Sequence, residues 1–327
     1  MHILIIGAAG MIGSKLITHL IQDGGLGGRS IDRLSLADWI GPTPPTGVPF
    51  KVEARDADLA APGVAEALVA TRPDVIFHLA AILSGESEAD FDKGYRVNLD
   101  GTRLLFEAIR KVGGGYCPRV VFASSIAVFG APFPEAIGDE FFQTPLTSYG
   151  TQKAIGELLL ADYTRRGFMD GIGIRLPTIC VRPGKPNKAA SSFFSGIIRE
   201  PLAGHEAILP VSESVRHWHA SPRSAVGFLI HAAGLDGARL GARRSLAMPG
   251  VSVTVGEQIA ALAKVAGAAV TKRIRHEPDP TIMRIVDGWP RRFAPERAIA
   301  LGFRAETTFE EIIRVHIDDE LGGTWVK

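Results

Sequence analysis

The sequence predicts a doubly wound α/β fold, in which a parallel sheet carries helices on both faces and a smaller lobe follows it. Two observations lead to this prediction. Short, wholly apolar runs, which suit strands buried on both faces, alternate with segments of helical period through the first half of the chain. A glycine-rich turn joins the first apolar run to the first helical segment, as expected where a strand enters a helix within a few residues.

The apolar runs and the helical segments follow one another in strict order. The candidate strands are residues 2–7, 34–37, 50–54, 75–80, 119–123 and 171–176, and the helices between them are residues 11–21, 63–70, about 95–112 and 148–166. Right-handed crossovers between successive strands place such helices on both faces of one sheet. After about Leu176 the pattern loosens, and Pro and Gly cluster over residues 182–186. We expect residues 1–180 to form the sheet domain, with later segments returning to it, and residues 181–327 to form mainly a second lobe.

The composition excludes several classes of protein. The 327 residues include 36 Lys and Arg against 35 Asp and Glu, so the formal charge of +1 leaves no basic surplus for a nucleic-acid backbone. Two cysteines, Cys117 and Cys180, are too few for a disulfide framework and lack metal-ligand spacing, which suits a reducing, cytoplasmic compartment. No apolar segment reaches the ~18 uninterrupted residues of a membrane span. We expect no metal, no nucleic acid and no membrane partner.

The glycine-rich turn has the spacing G-x-x-G-x-x-G, formed by Gly7, Gly10 and Gly13. The first glycine allows the sharp turn, the second lets the backbone approach a pyrophosphate, and the third lets the helix pack closely on the strand. The phosphates would lie at the N-terminus of the helix that begins with Met11 and Ile12. The turn therefore predicts a dinucleotide cofactor bound to a Rossmann sheet.

Asp38 ends the second apolar run and predicts which dinucleotide is bound. In dinucleotide-binding sheets, an acidic residue about 20 residues beyond the turn binds the ribose 2′-hydroxyl. The spacing from Gly13 to Asp38 is somewhat longer here because a glycine-rich loop follows the first helix. Since a carboxylate at this position repels a 2′-phosphate, the sequence favours NAD over NADP.

Three further residues predict the chemistry. Tyr149 and Lys153 lie one helical turn apart on the same face, so both can reach one substrate. A phenol with an ordinary pKa of about 10 is a poor base at neutral pH, and a neighbouring ammonium lowers that pKa. Ser125 lies just beyond a candidate strand, at the carboxyl end where doubly wound sheets bind ligands. We interpret Tyr149 as the base, Lys153 as the cation that activates it, and Ser125 as a hydrogen-bond donor to the reacting oxygen.

Together with residues 78–81, Asn98 and residues 175–178, these motifs resemble those of the extended short-chain dehydrogenases/reductases, the NAD-dependent epimerase/dehydratase family. The resemblance spans most of the chain and implies NAD as the cofactor. It also implies a homodimer built through the helices at about 95–112 and 148–166. The cofactor-binding residues that it implies are Gly7, Gly10, Met11, Ile12, Asp38, Asp58, Leu59, Leu79, Ala80, Ala81, Asn98, Tyr149, Lys153 and Pro177.

The resemblance also narrows the reaction. Sugar dehydratases of the family carry an Asp-Glu pair where this chain has the uncharged Ile126 and Ala127, so dehydration is disfavoured. The segments at 214–219 and 221–226 depart from nucleotide-sugar epimerases, and the chain is more similar to dehydrogenases that oxidise the C2 hydroxyl of the four-carbon sugar acid D-erythronate. The substrate-binding residues so implied are Ser84, Ser125, Tyr149, Thr178 and Arg216. A nucleotide-sugar 4-epimerase and a non-catalytic NAD-sensing protein remain as alternatives.

Overall fold

The protein, studied here as a computed structural model, is described over residues 1–184 and 190–326, so part of the Pro- and Gly-rich cluster at 182–186 lies outside the described residues. In chain order the strands are β1 (His2–Ile6), β2 (Gly25–Leu26), β3 (Arg29–Ser30), β4 (Arg33–Asp38), β5 (Lys51–Asp56), β6 (Val75–His78), β7 (Arg119–Ser125), β8 (Ile137–Gly138), β9 (Asp170–Leu176), β10 (Thr178–Ile179), β11 (Ala207–Leu209), β12 (Arg216–Ala220), β13 (Ser245–Ala247), β14 (Val251–Thr254), β15 (Ile274–His276) and β16 (Phe293–Ala294).

The helices alternate with these strands. In chain order they are α1 (Met11–Asp23), α2 (Val64–Val69), α3 (Ser84–Ala89), α4 (Phe91–Gly94), α5 (Gly101–Val112), α6 (Ser148–Arg165), α7 (Ser192–Leu202), α8 (Pro222–Gly234), α9 (Val255–Ala266), α10 (Ala268–Thr271), α11 (Pro280–Asp287), α12 (Glu296–Ala300) and α13 (Phe309–Leu321), with a π-helical turn at Tyr95–Asp100 and 3₁₀ turns at Ile126–Val128 and Gly237–Leu240. Among the described residues, no helix has both the length and the apolar character needed to cross a membrane.

The central sheet has seven strands in the order β13-β9-β7-β6-β1-β4-β5. Each pair from β9 to β5 is parallel. The chain adds strands first on one side of β1 and then on the other, so the direction of winding reverses between β1 and β6. In such sheets ligands bind at this reversal, beyond the carboxyl ends of the strands. The doubly wound α/β fold predicted from the sequence is therefore confirmed.

The apolar character of β1 explains its central place. Its residues from Ile3 to Ile6 are at most 1% exposed, because β4 and β6 pair with its two edges while side chains cover both of its faces. Leu4 and Ile6 belong to a core cluster that also includes Phe106 of α5 and Phe122 of β7. A strand buried in this way holds its last residue, and the turn that follows it, in a fixed position.

The chain divides into two compact units, each made of three segments. The first unit is Met1–Val128, Thr147–Leu176 and Val226–Leu246, and the second is Phe129–Leu146, Pro177–Ala225 and Ala247–Lys327. The chain passes from one unit to the other after Val128, Leu146, Leu176, Ala225 and Leu246. Phe129–Leu146 lies in the second unit because β8 pairs with β16, which follows it by more than 150 residues.

Two arginines hold the last segment of the first unit against its sheet. Arg119 of β7 donates to the carbonyl oxygens of Ala232, at 2.9 Å, and Leu235, at 2.6 Å. The buried Arg244 donates to the carbonyl oxygens of Gly171 and Gly237, each at 2.7 Å. Both guanidinium groups also pair with the carboxylate of Asp170 at the start of β9. The returning segment is therefore fastened by charge-assisted hydrogen bonds.

We expect Arg244→Met to lower the free energy of unfolding by about 3 kcal/mol, because it leaves two buried carbonyl oxygens and one carboxylate oxygen without their donor. Thermal or urea unfolding measures this loss. The matched control is Arg243→Met, since Arg243 is the exposed neighbour of Arg244. Equal losses of stability in the two variants would contradict the role given to Arg244.

Candidate active site

The glycine turn follows β1 at the reversal of the sheet. Gly7 has a φ of +92°, and a Cβ built on it would lie 2.6 Å from the amide nitrogen of Ala80. A Cβ on Gly13 would clash with the carbonyl oxygen of Gly7 and lie 2.9 Å from the Cα of Ala8. Both positions therefore require glycine for the fold itself.

Gly10 differs from its two partners. It precedes α1 as the N-cap, and no side chain caps this helix end by a hydrogen bond. The nearest protein atom to a Cβ built on Gly10 is the carbonyl oxygen of Gly7, at 3.4 Å, an ordinary contact. The protein itself does not require glycine there, so the space above Gly10 and the bare N-terminus of α1 form a cradle suited to a phosphate group.

Asp38 lies beside this turn, as predicted from its place at the end of β4. One oxygen of its carboxylate accepts a hydrogen bond from the amide of Ala9 at 2.8 Å, and the other accepts from the amide of Trp39 at 2.7 Å. The amide of Gly7 donates to the carbonyl oxygen of Ala37 at 2.9 Å. The carboxylate and the glycine turn are thus fixed to one another.

The segment after β5 contains Asp58 and Leu59. The carboxylate of Asp58 accepts from the amide of Ala60 at 3.1 Å and pairs with Arg96. Leu59 is buried, and its side chain lies against Gly101 at the start of α5. Both side chains therefore stabilise the segment in which they lie. This segment follows β5, the strand that ends beside Asp38.

The segment after β6 is tied to the end of β1. The amides of Leu79 and Ala80 both donate to the carbonyl oxygen of Ile6, at 2.8 and 3.0 Å. Asn98, in the π-helical turn, accepts from the amide of Ile82 at 2.9 Å and donates to the carbonyl oxygen of Ile82 and to Gln152. These hydrogen bonds use both the oxygen and the nitrogen of the Asn98 side-chain amide. Asn98 therefore holds the backbone of the 79–82 segment in place.

Tyr149 and Lys153 lie on the first turns of α6. Thr147 caps this helix by accepting from the amide of Gly150 at 3.0 Å. A Cβ on Gly150 would clash with the carbonyl oxygen of Ala127, so glycine lets the start of α6 pack directly on the turn that follows β7. The Nζ atom of Lys153 lies 5.8 Å from the centre of the Tyr149 ring.

Lys153 also reaches the strand that carries Ser125. Its Nζ donates to the carbonyl oxygen of Ala123 at 2.8 Å, two residues before Ser125. The hydroxyl of Ser125 is half-buried and accepts from the amide of Ala127 at 3.1 Å. Tyr149, Lys153 and the end of β7 are therefore gathered in one place in the first unit.

The ammonium group of Lys153 is buried. Removal from water lowers its pKa to about 8, and attraction to the carboxylate of Glu157 opposes this decrease. Its Nζ lies 4.8 Å from the centre of the Phe122 ring, which adds a cation–π contact. Lys153 therefore keeps its positive charge at neutral pH and loses it under mildly alkaline conditions.

Glu157 belongs to a buried network that the sequence did not single out. Its carboxylate accepts one bifurcated hydrogen bond from the Nε–H group of Arg175, at 3.0 and 3.1 Å from its two oxygens, and a second bond from Nη2 at 2.7 Å. The hydroxyl of Ser124 donates to the same carboxylate, so Ser124 is part of this buried network. The one signal in the sequence was the spacing of Glu157, one helical turn beyond Lys153. Arg175 lies opposite Ser124 only in the folded sheet.

The remaining predicted residues are divided between the units. Ser84 begins α3 in the first unit, whereas Pro177, Thr178 and Arg216 lie in the second. The guanidinium of Arg216 donates to the carbonyl oxygen of Ser252 at 2.9 Å and pairs with Glu257 at 3.1 Å. The hydroxyl of Thr178 lies 2.6 Å from the Nε2 atom of His217.

Comparison with known sequences identifies the family. The profile of the NAD dependent epimerase/dehydratase family matches residues 3–221. The chain belongs to this family. The prediction of an NAD-dependent oxidoreductase is thereby confirmed, and so is NAD as its cofactor.

Individual members of the epimerase/dehydratase family match nearly the whole chain. D-erythronate dehydrogenase of Cupriavidus necator is 48% identical over 98% of both chains. D-erythronate dehydrogenase of Haemophilus influenzae is 42% identical over 98% of this chain and all of its own. A solved structure, described as the nucleoside-diphosphate-sugar epimerase from Agrobacterium tumefaciens, is 67% identical and superposes with a TM-score of 0.97, covering 99% of this chain and 95% of its own.

The glycine turn of the present chain fits the pyrophosphate of NAD. Gly7 and Gly13 shape the turn, and Gly10 keeps the helix end open to a ligand. The bound NAD would accept hydride at its nicotinamide ring. Within the described residues, Asp38 lies beside this turn, at the place where the ribose hydroxyls of NAD are bound in such folds.

Gly10→Ala and Gly13→Ala should separate cofactor binding from folding. We expect Gly10→Ala to leave unfolding in the absence of NAD⁺ unchanged but to weaken NAD⁺ binding about 10-fold, equal to about 1.4 kcal/mol, because its methyl group enters the phosphate cradle. Gly13→Ala should instead lower the free energy of unfolding by about 1–3 kcal/mol through its backbone clash.

Urea unfolding of the apoprotein and calorimetric titration with NAD⁺ measure the two effects. Undiminished NAD⁺ affinity in Gly10→Ala would show that phosphate does not approach this glycine. A loss of stability in Gly10→Ala as large as that in Gly13→Ala would show that the fold requires both.

Proposed function

We propose that the protein oxidises the C2 hydroxyl of D-erythronate to the corresponding 2-oxo acid, with NAD⁺ as the hydride acceptor. The observation that supports this most directly is the match of nearly the whole chain to two proteins named D-erythronate dehydrogenase. The arrangement of Tyr149, Lys153 and the end of β7 suits the oxidation of an alcohol. It provides a phenol, a buried cation and a serine hydroxyl within one unit of the chain.

In the proposed mechanism Tyr149 is the general base. Its phenolate takes the proton of the C2 hydroxyl while the C2–H bond breaks, and the carbon–oxygen bond becomes a carbonyl. NAD⁺, when bound, would accept the hydride from C2, so that one alcohol and one NAD⁺ would yield one ketone, one NADH and one proton. The charge of Lys153 stabilises the phenolate, and Ser125 donates a hydrogen bond to the reacting oxygen.

The acid group of the substrate needs a cationic or hydroxyl partner. The proposed partners of the small acid are Ser84, Thr178 and Arg216. A guanidinium carries five N–H donors, so the contacts of Arg216 with Ser252 and Glu257 leave donors for a substrate.

Homodimerisation through α5 and α6 is also part of the proposal, since Leu158 is 65% exposed on α6.

A nucleotide-sugar 4-epimerase is the second candidate. It is favoured by the solved structure that is 67% identical and described as a nucleoside-diphosphate-sugar epimerase. The same tyrosine, lysine and serine serve an epimerase, which oxidises a hydroxyl and then returns the hydride to the opposite face of the ketone. The two functions differ in their balance, because an epimerase yields no net NADH.

The proposal is tested by incubating the protein with D-erythronate and NAD⁺ and measuring net NADH formation through the absorbance of NADH. We expect turnover with D-erythronate and none with UDP-sugars, and we expect Tyr149→Phe to lower kcat by about 10²-fold or more through loss of the base. The matched control is Tyr116→Phe. Tyr116 precedes β7 in the chain, and its hydroxyl donates to the carbonyl oxygen of Pro73 at 2.8 Å.

Conversion of a UDP-sugar without net NADH would replace the dehydrogenase by the epimerase. Unchanged turnover in Tyr149→Phe would remove Tyr149 as the base. A protein that binds NAD⁺ but turns over neither class of substrate would favour the NAD-sensing alternative.

Glu157→Gln should shift the pH dependence of this reaction. The Glu157 carboxylate raises the pKa of Lys153, which burial lowers to about 8. Without that carboxylate the pKa of Lys153 falls further. Since the reaction needs Lys153 charged, we expect the alkaline limb of kcat/KM to move to lower pH.

The pH profile of kcat/KM, measured well below the unfolding temperature, checks this prediction. The control is Asp162→Asn, which removes a carboxylate on the same helix that is 58% exposed and pairs with Arg165. An alkaline limb at the same pH in Glu157→Gln and the wild-type protein would show that Glu157 does not set the charge of Lys153.

A further inference from the structure

The short helix α3 lies against the start of α6 within the first unit. The carboxylate of Glu88, near the end of α3, accepts a hydrogen bond from the backbone amide of Ser148 at 2.5 Å. The two residues are 60 positions apart in the sequence, so this bond joins separate parts of the chain. Glu88 therefore ties α3 to the first residue of the helix that carries Tyr149 and Lys153.

Ser148 offers Glu88 an amide that its own helix does not use. The N–H groups in the first turn of a helix have no carbonyl partner within the helix, and Ser148 is the first residue of α6. A carboxylate suits this place, because the N-terminus of a helix carries a partial positive charge. The hydroxyl of Thr147 accepts from another amide of the same turn, that of Gly150. The cap of α6 is thus shared between a local hydroxyl and a distant carboxylate.

A second contact between the two helices is buried. Ser87 of α3 is fully buried, and its hydroxyl lies 3.2 Å from the Nδ2 atom of Asn98. The same nitrogen donates to the Oε1 atom of Gln152 on α6 at 2.7 Å. Gln152 follows Ser148 by one helical turn, so both contacts reach one face of α6. The helix α3 is held at two points, one buried and one exposed to solvent.

Ser84 shares a helix face with the two residues that make these contacts. Residues Ser84, Ser87 and Glu88 have the spacing i, i+3, i+4, which places side chains on one face of a helix. The bonds of Ser87 and Glu88 turn that face towards Asn98 and α6. Ser84 is half-buried and lies one turn before them. A displacement of α3 would therefore change the separation of Ser84 from Tyr149.

We propose that Glu88 is a positioning residue for the substrate. Its bond to the Ser148 amide fixes the distance between Ser84, a proposed contact of the acid, and Tyr149, the proposed base. A helix of six residues is too short to be stable by itself, and a single point of attachment would let it turn about that point. The bond of Glu88 removes this freedom. The inference rests on the proposed function, because the role of Ser84 as a substrate contact belongs to it.

Substitution of Glu88 tests the acceptor of the bond. Glu88→Ala should raise the KM for D-erythronate roughly 10-fold and leave kcat within about 3-fold of wild type, because it displaces a binding contact and leaves the base in place. Glu88→Gln keeps an oxygen that can accept from the Ser148 amide, so its KM should stay within about 3-fold of wild type. The dissociation constant of NAD⁺, measured by calorimetric titration, should be unchanged in both variants. The reason is that the 79–82 segment is held separately, by Ile6 and Asn98.

Substitution of Ser148 tests the donor. Proline lacks the N–H group and is well accepted at the first position of a helix. The residue before a proline must have an extended backbone, and Thr147 has one, with φ −133° and ψ 152°. We expect Ser148→Pro to raise KM as Glu88→Ala does without lowering the melting temperature, whereas Ser148→Ala keeps the amide and should match wild type. The double variant Glu88→Ala with Ser148→Pro should lose no more than either single variant.

Glu86→Ala is the matched control for the loss of charge. It removes another exposed carboxylate from α3, one that pairs with Lys93 of the neighbouring helix α4 at 2.6 Å. We expect this variant to keep the wild-type KM for D-erythronate. A rise in KM equal to that of Glu88→Ala would overturn the inference, because the net charge of α3 would then matter rather than the bond to Ser148.

Hydrogen exchange of α3, followed by NMR in the protein without substrate, tests the contact without turnover. The amide of Ser87, for example, donates to the carbonyl oxygen of Leu83 at 2.9 Å and exchanges when the helix opens. We expect the protection factors of α3 to fall at least about 5-fold in Glu88→Ala and in Ser148→Pro. Glu88→Gln and Ser148→Ala should keep the wild-type protection.

An unchanged KM in Glu88→Ala or in Ser148→Pro would overturn the inference, and so would a KM in Glu88→Gln as high as that in Glu88→Ala. Weaker binding of NAD⁺ by the same factor would also overturn it, by placing the effect on the cofactor. Unchanged protection of α3 in Glu88→Ala would show that the bond does not hold the helix. A lack of NADH formation from D-erythronate by the wild-type protein would instead refute the proposed function, while hydrogen exchange would still judge the contact of Glu88.

Discussion

The carbonyl oxygens at the ends of two neighbouring strands organise the cofactor side of this protein. The carbonyl oxygen of Ile6 accepts hydrogen bonds from the amides of Leu79 and Ala80, and that of Ala37 accepts from the amides of Gly7 and Ala8. These bonds hold three chain segments against the end of β1. They hold only because β1 is buried on both faces and cannot shift along its neighbours. The apolar strand β1 thus fixes the positions of the glycine turn, the carboxylate of Asp38 and the segment after β6.

Burial has different consequences for two titratable side chains, one in each unit. Burial lowers the pKa of Lys153 to about 8 and that of His217 to about 4. Lys153 keeps its charge at neutral pH because Glu157 lies near and its pKa starts high. His217 becomes a neutral ring at physiological pH. Burial thus leaves a cation in one unit and a neutral, hydrogen-bonded ring in the other.

Much of the fold could be predicted from local pattern, since apolar runs and helical period are properties of neighbouring residues. Gly7, Gly13, Tyr149 and Lys153 could be singled out in the same way, because each belongs to a motif of fixed spacing, whereas Asp38 was singled out by its place at the end of an apolar run. The network of Glu157 could not, because its partner Arg175 lies on another strand and only the register of β7 and β9 joins them. The unit boundaries were also out of reach, because they depend on the pairing of β8 with β16.

The amide of Asn98 illustrates a different limit of sequence reasoning. A motif indicates that a residue matters without telling whether it contacts a ligand or holds the backbone that does. Here the amide bonds to both backbone groups of Ile82 and to Gln152, which makes it a support. The hydroxyl of Thr178 raises the same question, since its partner His217 is 39 residues away.

The interleaving of the two units has a consequence for how such a protein changes over time. Each unit is assembled from three separate stretches of chain, so no single break in the gene separates one whole unit from the other. Recombination at one or two points would leave β8 without β16, or the sheet without the segment that Arg119 and Arg244 fasten. New substrate preferences in such an architecture arise more readily from point substitutions than from exchange of intact modules.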